Sequence, residues 1–168
     1  MAAKLILIIA ILMAAAVSRA LSRSWWERRQ LRVERYRVPS ADAVQSRRMP
    51  GKRLVFLSDL HDYCRDYGSE DILRRIREAQ PDLVLLGGDM ITCQKSAGWT
   101  AETGPALGFI CALAREYTVI YAEGNHETRF RSLHPEAFSA YRKALEDAGV
   151  ICLIDGSVLY FIDGHDPL

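Results

Sequence analysis

The chain has 168 residues, 49% of them hydrophobic, which suits one core and argues against two. Its net charge of +1 conceals an uneven distribution: residues 18–53 hold eleven Arg and Lys against three acids, and residues 54–168 hold ten against eighteen acids. A basic neck therefore precedes an acidic body. The four cysteines, Cys64, Cys93, Cys111 and Cys152, form no Cys-x-x-Cys pair, which argues against a zinc ribbon or a dithiol redox motif. Cys111 and Cys152 lie in apolar stretches and read as core thiols. Cys64 and Cys93 follow polar clusters and read as loop or packing residues.

Leu5 to Val17 is an unbroken run of thirteen apolar residues between Lys4 and Arg19. A helix that crosses a bilayer needs about 20 largely apolar residues, which the run reaches with its flanks included. The run has no polar face, so a buried soluble helix is a poor reading. Residues 1–24 read as a membrane anchor or a secretory signal, with Trp25 and Trp26 near an interface. The Arg-rich neck argues, by positive-inside logic, for a cytoplasmic body. The signal or anchor reading puts the body outside, and the expectation adopted is a cell-membrane protein with an extracytoplasmic domain. Residues 1–37 also suit contact with anionic lipid.

Residues 25–50 form the neck. Within it, residues 31–38, "LRVERYRV", alternate apolar and charged and predict an edge strand. Pro39, Pro50 and Gly51 mark a linker. The body, residues 51–168, then alternates strand and helix. Strand 53–58 is followed by a helix from Ser69, its predicted cap, with Ile72, Leu73, Ile76 and Ala79 on one face and Pro81 ending it. Strand 83–86 precedes a helix over 103–116 with Leu107, Ile110, Cys111 and Ala114 on one face. Strand 118–121 precedes a helix from Pro135 with Phe138, Tyr141 and Leu145 inward and Gly149 closing it. Short strands are predicted near 150–154 and 157–162. The pattern is α/β, a largely parallel sheet flanked by helices.

Three successive strands end in polar clusters: Asp59-Leu60-His61, Gly87-Gly88-Asp89 and Glu123-Gly124-Asn125-His126-Glu127. Carboxyl ends of strands in such a sheet share one edge, where ligands bind. Asp59 and His61 should project into a polar crevice, with Leu60 turned into the core. Aspartate, histidine and asparagine offer oxygen and nitrogen ligands without thiolate, which suits manganese, iron or zinc. A carboxylate such as Asp89 can bridge two ions about 3.5–4 Å apart, the separation used for displacement at phosphorus.

"DLH" at 59–61, "GGD" at 87–89 and "GNHE" at 124–127, each after an apolar strand, resemble the first three motifs of the calcineurin-like metallophosphoesterases. The hydrophobic amino-terminal run resembles the membrane-anchored bacterial branch of that family. The resemblance implies a calcineurin-like sandwich and a phosphoester hydrolase with two divalent ions, manganese foremost. Asp59 and His61 would bind one metal, Asp89 would bridge both, and Asn125 would bind the second. His126 would contact the phosphate and protonate or stabilise the leaving oxygen, and a metal-bridging hydroxide would attack phosphorus.

The family's later histidine segments are absent before Leu168. The sequence is therefore expected to be the amino-terminal part of a longer enzyme, inactive as it stands. His165 and His134 read as loop and helix-start residues, and Asp62 and Glu127 as supporting or solvated groups. The other reading is a membrane-tethered, catalytically inactive binding module. The substrate class is not legible, and no nucleic acid is expected, because the acidic body opposes a polyanion.

Overall fold

The computed structural model describes residues 2–27, 31–38, 52–61, 63, 68–94, 100–101, 103–154 and 156–158. Its contacts divide it into two units, Met1–Tyr36 and Arg37–Leu168. The first unit is dominated by helix α1, Ala2–Glu27, whose 26 residues would extend about 39 Å at 1.5 Å per residue. Its described side chains are all exposed. It is the one helix among the described residues long and apolar enough to cross a membrane.

The strand expected over 31–38 does not form. Val33, Tyr36 and Val38 are exposed. Among the described residues no strand pairs with it, and an unpaired strand has no ladder to satisfy its backbone.

The second unit begins with β1, Leu54–Leu57, then α2, Ser69–Ala79, and β2, Leu83–Leu86. A short hairpin follows: β3, Cys93–Gln94, pairs antiparallel with β4, Thr100–Ala101. Helix α3, Gly104–Ala114, leads to β5, Val119–Ala122. Two helices come next, α4, Asn125–Leu133, and α5, Pro135–Asp147, before β6, Ile151–Leu153. The main sheet has the order β1-β2-β5-β6, parallel throughout, as the uninterrupted apolar strands predict.

Strands follow one another across this sheet in chain order. Right-handed crossovers in such an order place every connecting helix on the same face. Val84, Leu86, Val119 and Tyr121, which share one face by register, are all buried. On the other face burial is uneven: Leu83 and Ile120 are buried, Leu85 and Ile151 are half-buried, and Leu54 and Phe56 in β1 are 55% and 68% exposed.

Local departures have local causes. Helix α2 is capped by Gly68 at φ 86°, a left-handed position that favours glycine, so Ser69 opens the helix instead of capping it. Its buried face is Ile72, Leu73 and Ile76, and it closes at Gln80 in the left-handed region just before Pro81. Helix α3 buries Ala106, Phe109, Ile110 and Leu113, while Leu107, Cys111 and Ala114 are half-buried. Its sequence, GPALGFICALA, is apolar nearly all round, so periodicity does not choose the inner face. Helix α5 buries Phe138, Tyr141 and Leu145 as expected. Helix α4 lies where the sequence pattern predicts no element. Residues 157–158 form no strand, and 159–162 lie outside the described residues.

Leu145 is 1% exposed, so Leu145→Ala should lower stability by about 2–5 kcal/mol. The same change at Leu133, 43% exposed, should cost less than about 1 kcal/mol. Urea unfolding followed by circular dichroism measures both. Equal losses would mean that α5 does not carry the core.

Candidate metal centre

The centre is built where β1 and β2 end. Their parallel ladder continues beyond the strands: Gly87 N–H donates to the Leu57 carbonyl at 2.7 Å, Asp59 N–H to the Gly88 carbonyl at 3.1 Å, and His61 N–H to the Asp89 carbonyl at 3.0 Å. The two loops are thus joined by main chain before any side chain is considered. Asp59, His61 and Asp89 all have positive φ, 57°, 45° and 53°. Aspartate, and to a lesser degree histidine, enter this region more readily than most residues. The turns bring one ligand atom from each of the three to within 4.8 Å of one another. Leu60 between them is buried, as expected.

Asp89 is 8% exposed, whereas Asp59 and His61 are exposed, so the cluster opens to solvent on the β1 side. The Ser58 hydroxyl donates to Asp59 Oδ2 at 2.5 Å, and His61 Nε2 lies 3.7 Å from Asp59 Oδ1. His61 also meets His126 edge-on, with ring centroids 4.8 Å apart.

His126 and Asn125 are the first residues of α4. Asn125 is exposed at the start of the helix. The His126 backbone N–H donates to Asp89 Oδ1 at 2.8 Å, so Asp89 caps this helix from another loop, at its positive end. Asp89 Oδ2 is left for a ligand. His126 Nδ1 accepts the Cys93 N–H at 2.9 Å, which puts the neutral ring's proton on Nε2.

Glu127 is the largest surprise. It is fully buried. Oε2 accepts the N–H groups of Asp89 at 2.9 Å and Gly124 at 3.0 Å. Oε1 accepts those of Met90 at 2.8 Å and Ile91 at 3.3 Å, and the Tyr121 hydroxyl at 2.7 Å. Of the two expectations for Glu127, a supporting or a solvated group, its burial and its bonds to the Asp89 loop fit the first. Burial, with Tyr141 and Glu127 alongside, pushes the Tyr121 hydroxyl far above its usual pKa, so it stays a donor. A Glu three residues after a helix cap was the available signal, since that spacing makes half of a capping box.

The glycines of the motifs serve close approach. Gly88, at φ 90°, lies so near Gly124 that a Cβ on it would collide with the Gly124 backbone. A Cβ on Gly124 would collide with the Asp89 carboxylate. Among the described thiols, burial pushes Cys93 and Cys111 up, and Cys152 up to about 11. His134 sits between α4 and α5, at the helix start expected. Asp62, Cys64, Asp163, His165 and Asp166 lie outside the described residues.

The calcineurin-like phosphoesterase family matches residues 52–167. The chain belongs to this family. Its four-stranded parallel sheet with helices agrees with the calcineurin-like fold. Comparison with curated proteins and with solved structures gives no significant match. The calcineurin-like motifs supply two carboxylates and an imidazole, one carboxylate buried, as oxygen and nitrogen donors suited to a borderline divalent cation.

A methyl at position 124 would enter the Asp89 carboxylate. Gly124→Ala should therefore weaken divalent-metal binding by about tenfold or more while the sheet persists. Cobalt titration alongside circular dichroism checks this, and unchanged affinity would show that Asp89 is not a ligand.

Proposed function

We propose that the chain is part of a membrane-held phosphoester hydrolase that works with two divalent cations, manganese foremost. The observation that carries this reading is the convergence of Asp59, His61 and Asp89 beside His126, in a chain of this family. Bound there, divalent cations supply Lewis-acid polarisation of the phosphoryl group and acidify water.

The protein's own groups have separable tasks. Asp59 and His61 hold one ion. Asp89, its Oδ1 committed to the His126 N–H, offers Oδ2 as the shared ligand. Asn125 contributes a neutral amide oxygen to the second ion. His126 carries its proton on Nε2 because Nδ1 is occupied by the Cys93 N–H. In that tautomer Nε2 can donate a hydrogen bond to a phosphate oxygen or to the departing oxygen and stabilise the negative charge that develops there. The exposure of Asp59 and His61 leaves the substrate a way in.

The amino-terminal helix supports membrane attachment by length and composition. Residues 1–37 would meet anionic lipid, with the body on the extracytoplasmic side. The resemblance to the membrane-anchored bacterial branch favours the same arrangement.

Asp89→Ala should abolish manganese binding, measured by equilibrium dialysis. In a form of the enzyme that turns over bis(p-nitrophenyl) phosphate, it should remove hydrolysis as well. His126→Ala should keep its metal and lose about 10²–10⁴ in turnover. Full metal occupancy in the Asp89 variant would refute the shared-ligand assignment, and metal binding without any turnover would favour an inactive binding module.

The whole chain should fractionate with membranes, and deletion of residues 1–24 should release it. Recovery of the intact chain in the soluble fraction at low salt would overturn the anchor.

A further inference from the structure

We propose that Glu127 is a positioning residue of the metal centre. Its carboxylate occupies a nest of backbone N–H groups from Asp89, Met90 and Ile91 and thereby fixes the turn that presents Asp89 to a cation. This rests on the reading of Asp59, His61 and Asp89 as metal ligands.

A fully buried carboxylate is costly unless its lone pairs are met by donors. Here five donors meet it. Capping of α4 explains only one, the Gly124 N–H. Three others come from consecutive residues of a different loop, directly after Gly88. Successive N–H groups around a left-handed residue form a concave anion site, and Asp89 is that residue, at φ 53°. Glu127 fills this site with an anion from the chain itself. Left-handed backbone at a non-glycine residue costs roughly 1–2 kcal/mol, and the nest supplies the compensation.

The geometry also closes a ring. Glu127 holds the Asp89 N–H, and the neighbouring His126 N–H holds Asp89 Oδ1. Both ends of Asp89, main chain and carboxylate, are therefore fixed by adjacent residues of one helix. Its second carboxylate oxygen is directed by this clamp. Glutamine at 127 would present an NH2 group to N–H donors on one side. Aspartate would be one methylene too short to meet both loops. Tyr121, on β5, donates its hydroxyl to Oε1 at 2.7 Å.

The experiment titrates the whole chain with cobalt(II) and reads both affinity and the visible cobalt bands. Glu127→Gln should bind about 10- to 100-fold more weakly and shift the bands. Tyr121→Phe should weaken binding by about threefold, the size of one lost hydrogen bond. Thr128→Ala is the structural control: it removes the bond from the Thr128 hydroxyl to the Gly124 carbonyl, 2.9 Å, while the Thr128 N–H still donates to that carbonyl at 3.1 Å and keeps the start of α4 in place. It should lower the Tm and leave cobalt affinity unchanged. A wild-type chain that binds no cobalt refutes the metal reading itself. Wild-type binding with an unaltered constant and spectrum in Glu127→Gln overturns the positioning role. If Glu127→Gln does not fold, Tyr121→Phe decides: unchanged cobalt binding, or a loss matched by Thr128→Ala, overturns it.

Discussion

Two carboxylates exchanged between the loop after β2 and the start of α4 hold the centre of this protein together. Glu127 reaches from the helix to collect the N–H groups of the loop, and Asp89 reaches from the loop to collect an N–H of the helix. Each satisfies donors that secondary structure leaves over, because a helix start and a strand end both carry unpaired N–H groups. The exchange is feasible only because the two backbones nearly touch, and glycine at 88 and 124 permits that approach. Fold and site are consequently the same set of bonds.

The rest of the architecture positions this junction. Chain-ordered parallel strands put the ends of β1, β2 and β5 side by side along one edge. The ladder between β1 and β2 runs on past both strands, so Asp59 and His61 are in register with Gly88 and Asp89 through main-chain bonds. Ligand geometry then depends on short side chains hung from a fixed backbone, which costs little conformational entropy on binding. The same strand order leaves Leu54 and Phe56 on a face that the helices of the sheet do not cover.

What could be read from the sequence was whatever one short window determines. LVFL and LVLL announce strands, and Phe138, Tyr141 and Leu145 recur at helical spacing on the face that is buried. The convergence of Asp59, His61 and Asp89 followed from the repeated succession of apolar strand and polar cluster. Helix α4 escaped notice because its buried residues are Glu127 and Phe130, and a charged residue on the inner face defeats any hydrophobic period. The capping-box spacing signals only the Gly124 partner of Glu127; three others lie 36 to 38 residues away and are main-chain groups that sequence does not mark. Residues 31–38 had the alternation of a strand but, among the described residues, no strand to pair with. Local pattern proposes an element, and tertiary context decides whether it forms.

The bond from the Cys93 N–H to His126 Nδ1 has a bearing on how such proteins can drift in sequence. A tautomer set by a side chain is lost when that side chain is replaced. Here the donor is an amide that nineteen of the twenty amino acids provide, and proline alone withholds it. Position 93 is therefore free to exchange cysteine for another residue that fits its buried space, and the imidazole would keep its proton on the same nitrogen. Selection on the histidine's protonation state would leave no trace in the identity of its partner, so variation at this position carries no information about whether the histidine is in use.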